Sequence, residues 1–152
     1  MTAADVLERT WLAEVARFDR AVVAWVDAEG YPVSAPADFR VDTDQSLVLL
    51  DLGPASDGPG GKRPVLVTFS HVNPRPGVGY DERRYVNLRG RLRRAGGEWA
   101  LDVEHIAGWD EERVPFFEYC ERNVARGLDY MQRLSDEQGR RRAIRAPGRQ
   151  WA

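Results

Sequence analysis

Lys62 and Arg63 close a run of small and ring residues, Gly-Pro-Ala-Ser-Asp-Gly-Pro-Gly-Gly over 53–61, and lead into an apolar stretch that carries Thr68, Ser70 and His71. Two cations beside flexible glycines can wrap a dianion, and hydroxyl and imidazole groups add further hydrogen bonds to an anion. A second stretch, Tyr85 to Leu92, alternates. Tyr85, Asn87, Arg89 and Arg91 belong to one face, and Val86, Leu88, Gly90 and Leu92 to the other. The chemistry that these residue types support is the holding of an anionic cofactor by a pair of strands. Ser70 and His71 are no hydrolase pair, because adjacent strand residues face opposite sides.

The elements that must position these groups are legible in the hydrophobic periods. Ala21–Asp27 reads as a strand, turned by Gly30 into a second strand over 32–41 that Pro36 marks as an edge or a bulged strand. Ser46–Leu52 reads as a third strand and Val65–Val72 as a fourth, with a Pro/Gly loop over 73–79 leading to the fifth. Glu98–Trp109 is the sixth, entered from Gly96-Gly97. Short strands on tight connections favour an antiparallel barrel or sandwich over a parallel sheet.

Before the strands, Thr2 and Asp5 have the spacing of a capping box. Leu7, Trp11, Val15 and Phe18 form one apolar stripe, which predicts a helix over 4–17 that plugs one end of the sheet. After Asp110 the period becomes helical through Val114, Phe117, Val124, Leu128, Met131 and Leu134. This predicts a long helix over about 111–135, with Gly139 as its stop. A second stripe on that helix, Phe116, Tyr119, Asn123 and Tyr130, is wide enough to meet a second subunit.

Composition narrows the function classes. A chain of 152 residues with 43% hydrophobic and 30% charged residues is a globular domain with room for a core. We divide it into a domain over 1–139 and an Arg-rich tail over 140–152. That tail holds Arg140, Arg141, Arg142, Arg145 and Arg149 and no acid, so the rest of the chain is acidic. Without interleaved aromatics the tail is a poor nucleic-acid reader. The single cysteine, Cys120, excludes an internal disulfide and a thiolate metal cluster, and two histidines make a multi-histidine metal site unexpected. Cys120 reads as a small buried hydrophobe and His105 as a structural residue. No apolar run is long enough to span a membrane, and the first residues carry acid where a leader would carry base, so a cytoplasmic protein is expected.

The order of these elements, with Gly30-Tyr31-Pro32 in the first hairpin and Arg89-Gly90 in the fifth strand, resembles the pyridoxamine 5′-phosphate oxidase-like family. The resemblance covers about residues 5–110. It implies a mainly β fold, a six-stranded antiparallel split barrel with an N-terminal helix and a long C-terminal helix. It also implies a homodimer with flavin mononucleotide, or a deazaflavin coenzyme, at the subunit interface, and an oxidoreductase activity on a small molecule. On that basis Lys62, Arg63, Thr68 and Ser70 are expected near the phosphate, and His71, Arg89 and Trp109 around the ring. The alternative is a dimeric barrel without redox chemistry that holds haem, flavin or another flat ligand, or none.

Overall fold

The computed structural model describes residues 11–53, 58–59 and 63–145. The capping pair Thr2 and Asp5, Leu7, Lys62, most of the loop before it, and Arg149 lie outside the described residues. These residues fall into two compact units, divided between Arg113 and Val114.

The first unit begins with helix α1, described over 11–15. Six antiparallel strands follow, β1 (Ala21–Val26), β2 (Pro32–Asp42), β3 (Leu47–Asp51), β4 (Pro64–Arg75), β5 (Gly79–Ala95) and β6 (Glu98–Asp110). They close into a barrel in the order β1-β2-β3-β6-β5-β4. The expected six-stranded antiparallel barrel with an N-terminal helix and a long C-terminal one is the observed fold, and the N-terminal helix ends at 15 rather than 17.

The barrel closes because every strand offers one apolar face. Val23 of β1, Val48 and Leu50 of β3, Val65, Val67 and Phe69 of β4, Val86, Leu88 and Leu92 of β5, and Trp99 and Leu101 of β6 are buried together. Phe69 sits at the centre, edge-on to Phe39 at 4.8 Å and tilted against Phe18 at 6.1 Å between ring centroids. Trp11, Leu12, Val15 and Phe18 join the same cluster, so α1 caps the barrel core as its stripe predicts. Burying each such side chain contributes about 1.5–3 kcal/mol.

Local chemistry shapes the connections. In the β1–β2 hairpin the Asp27 carboxylate accepts hydrogen bonds from the Glu29 and Tyr31 amides at 3.0 and 2.8 Å, and Gly30 takes φ +91°. Pro36 introduces no bulge, which corrects one of the two expectations for it. β2 is paired with β1 alone over Pro32–Ala37, and its ladder to β3 begins at Asp38. The proline therefore occupies a locally one-sided edge, where one side of the chain has no ladder bond to lose.

The β5–β6 ladder does contain a bulge. Leu92, Arg91 and Gly90 face Leu101, Asp102 and Val103, but Arg89 faces His105, so Glu104 is the extra residue on β6. A Cβ placed on Gly90 would lie 2.0 Å from the Asp102 carbonyl oxygen. Only glycine lets the two backbones approach this closely.

The second unit is helix α2, Phe116–Arg145. It starts after Pro115 rather than near 111, because the Asp110 carboxylate and carbonyl hold residues 112 and 113 in a turn. It also runs through Gly139, which was expected to stop it. A glycine costs a helix only about 1 kcal/mol, and the arginines beyond it are good helix formers placed where positive charge favours a helix end. Phe117, Val124, Leu128, Tyr130 and Met131 are exposed, and Cys120 is half-buried rather than buried. No helix among the described residues is long and apolar enough to cross a membrane.

Candidate functional site

Strand alternation puts the core-filling residues of β4, β5 and β6 inside the barrel and a chemically mixed set on the outer face. Register then arranges that outer set in rows. Ala24, Leu66, Arg89 and His105 form one row across β1, β4, β5 and β6. Val22, Thr68, Asn87 and Ala107 form the next. Ser70, Tyr85 and Trp109 form a third. Successive rows are about 7 Å apart along the strands, so Arg89 and Tyr85 are separated by about 13 Å.

The structure therefore brings together Thr68, Ser70, Arg89 and Trp109 of the predicted site residues and places Arg63 and His71 apart from them, while Lys62 lies outside the described residues. His71 follows Phe69 on the inner side of β4, pairs across the ladder with Arg84, and has its Nε2 3.7 Å from Glu82 Oε2. Arg84 in turn lies over the Phe18 ring at 5.7 Å. His71 thus belongs to the α1 end of the barrel, on the opposite side of the sheet from Ser70. Arg63 precedes β4, five residues before Thr68 and about 17 Å along an extended chain. Its guanidinium donates to the Val26 carbonyl at 3.2 Å. Arg63 and Ser70 do not converge on one phosphate.

Charge pairing sets Arg89 apart from the arginines that share its face of β5, while Arg84 and Arg94, of the opposite parity, lie over the Phe18 and Trp99 rings. Arg83 holds Glu111 in a two-pronged contact, with Nε to Oε2 at 3.0 Å. These hydrogen bonds keep the Glu111 carboxyl below its ordinary pKa. Arg91 reaches Glu104 at 3.4 Å, and Arg93 reaches Asp102 at 3.0 Å. Arg89 lies between these pairs, is exposed, and has no carboxylate partner among the described residues. The bulge is the reason. In unbroken register Arg89 would face Glu104; with one residue inserted it faces His105, and Glu104 goes to Arg91. A guanidinium and an imidazole stand side by side where an acid would otherwise neutralise the arginine.

At the other end of this face Tyr85 and Trp109 make an aromatic pair, 6.4 Å between centroids, with the Arg83 guanidinium 5.9 Å from the indole. Between the two ends lies Asn87, whose buried Oδ1 accepts no hydrogen bond from the described residues. The face thus offers the Arg89 guanidinium at one end, Thr68 and Asn87 in the middle, and Ser70 with two flat rings at the other. That donor set fits a phosphate-bearing aromatic ligand. Among the described residues there is no cluster of His, Cys, Asp and Glu able to hold a metal ion.

Sequence alternation puts Asn87 on the face of Arg89 but gives no neighbour to it, and it does not place His105 beside Arg89. The signal for His105 was present in Gly90, since an isolated glycine inside a strand marks a bulge or a close backbone approach. Asn87 had the right parity to share the face with Arg89, and only the ladder places it beside Thr68.

Among solved structures the chain is similar to a candidate 5-nitroimidazole antibiotic resistance protein from Bacteroides thetaiotaomicron, at 16% identity over 65% of this chain and 81% of that one, with a TM-score of 0.48. It is also similar to a candidate oxidoreductase from Sinorhizobium meliloti, at 17% identity over 72% of this chain and 52% of that one, with a TM-score of 0.35. No family model and no curated protein matches the sequence.

Proposed function

We propose that the outer face of β4, β5 and β6 binds flavin mononucleotide or a deazaflavin coenzyme, and that the protein is an oxidoreductase acting on a small molecule. The observation that carries this reading is Arg89, the outward arginine of β5 left without a carboxylate while its neighbours Arg83, Arg91 and Arg93 each have one. An exposed guanidinium held open in this way is suited to a phosphate, which it grips through charge-assisted, two-pronged hydrogen bonds.

In this reading Arg89 and the Thr68 hydroxyl hold the phosphate, and Ser70 and Asn87 line the path to the ring. Tyr85 and Trp109 orient the ring by stacking or edge contact. When bound, the cofactor supplies the hydride chemistry, and the protein supplies grip, orientation and exclusion of water. The same reading includes a homodimer. The apolar residues exposed on α2 suit a contact between copies, and a second copy would shelter a face that is open in one chain.

The test is a titration of purified protein with flavin mononucleotide, followed by fluorescence quenching or calorimetry, beside the Arg89→Ala variant. Saturable binding that weakens sharply in the variant supports the reading. Equal affinities would place the phosphate elsewhere, and absence of binding to the parent would leave the cofactor-free barrel in its place.

A further inference from the structure

The β5–β6 bulge places His105 directly across the ladder from Arg89, and no described carboxylate is paired with either side chain. The charged groups around His105 can be named. β5 is the strand paired with β6 here, and it presents Arg89 and, one row further on, Arg91. On β6 itself the neighbouring acid is Glu104, which is drawn toward Arg91 at 3.4 Å. An imidazole so placed has a cation beside it and its nearest acid engaged elsewhere. An anion bound at Arg89 would supply the negative charge that His105 lacks.

We infer that His105 is a second phosphate ligand beside Arg89, and that its proton controls how tightly the phosphate is held. This rests on the proposed assignment of the phosphate to Arg89. The sign follows from linkage. A bound dianion favours the imidazolium, so phosphate binding and protonation of the imidazole strengthen each other. Affinity is highest where imidazole is charged and falls as pH rises through the range of about 5 to 8, where imidazoles lose their proton. The phosphate loses its second proton near pH 6, so measurements above about pH 6.5 keep the ligand mostly dianionic and isolate the histidine. One charge-assisted hydrogen bond of about 1.5 kcal/mol corresponds to about a tenfold change in affinity.

The experiment measures flavin mononucleotide binding by calorimetry at about pH 6.5 and about pH 8.5, for the parent and for His105→Gln. The parent should bind about four- to fivefold more tightly at the lower pH, where about half of the limiting tenfold effect is expressed, and the variant should be nearly indifferent to pH. Riboflavin, which lacks the phosphate, should show no such dependence with either protein. A second readout needs no variant. The chain has two histidines, and His71 lies on the other side of the sheet. In a proton NMR titration the His105 ring signal should shift its midpoint upward by about one pH unit on adding flavin mononucleotide, while His71 stays put.

Binding that depends on Arg89 but shows the same pH profile in parent and variant, with both histidine midpoints unmoved, overturns the role of His105 and leaves the phosphate site intact. A pH dependence shared by riboflavin overturns the placement at the phosphate. A parent that binds no flavin mononucleotide at any pH removes both the site and its proton control.

Discussion

Arg89 faces His105 rather than Glu104 because β6 holds one residue more than β5 at this level of the ladder. The insertion is possible because Gly90, next along β5, lets the backbone of Asp102 come within a distance that no side chain permits. One glycine thus controls both the packing of the barrel wall and the charge left open on its surface.

Replacing Gly90 with alanine should therefore damage fold and site together. Overpacking of this kind costs about 1–3 kcal/mol, and the melting temperature should fall accordingly. Gly97→Ala is the control, since a Cβ there would meet nothing within 4 Å. If both variants melt with the parent, the close approach at Gly90 is not what holds the bulge.

Arg89→Ala should weaken flavin mononucleotide binding by roughly 10- to 150-fold, the range given by losing 1.5–3 kcal/mol of charge-assisted hydrogen bonding. Arg63→Ala should lose much less, because that guanidinium is engaged by the Val26 carbonyl some distance along β4. Circular dichroism should leave both variants indistinguishable from the parent. A larger loss at Arg63 than at Arg89 would return the phosphate to the start of β4.

Acid should weaken the fold through Glu14. Partial burial raises its pKa, but hydrogen bonds from Arg113 and Arg17 lower it by more, so the folded carboxyl titrates below the ordinary value of 4.5. A depressed carboxyl pKa contributes stability that is present above the unfolded value and is lost as pH falls through the folded one. Arg17 extends the network to Asp110 at 3.0 Å and so ties α1 to the end of β6. Glu14→Gln should cost about 0.5–1 kcal/mol at pH 7 by denaturant unfolding, and the two proteins should converge as pH falls from the ordinary value of 4.5 through the lowered folded one. A constant gap across that range would mean that the charge on Glu14 contributes nothing.

Multi-angle light scattering should give the mass of a dimer at micromolar concentration. Phe117 and Leu128 are 82% and 67% exposed, and a stable two-fold contact buries at least about 1,200 Å² in total. Leu128→Glu together with Met131→Glu should shift the mass toward the monomer while circular dichroism retains the helix. A parent that is monomeric, or a double variant that stays dimeric, would remove α2 from the contact.

The amino-acid sequence by itself determined which side chains face the core and which face out. Alternation is a local property, written in Val65, Val67 and Phe69 and again in Val86, Leu88 and Leu92, and it needs no knowledge of the partner strand. For the same reason the helical period after Asp110 announced α2. Its ends were less legible, because Gly139 is a weak stop among arginines and Pro115 a start that the apolar stripe does not mark. The tertiary structure decided the neighbours. Thr68 and Ser70 share a face with Arg89, but His71 does not, and the Arg63 guanidinium is turned to the Val26 carbonyl. That His105 rather than Glu104 stands beside Arg89 depends on the register between two strands. Register is set by how whole faces bury against each other and by where one glycine lets a bulge form. No local pattern records that choice, so the open charge on β5 emerges only when the barrel closes.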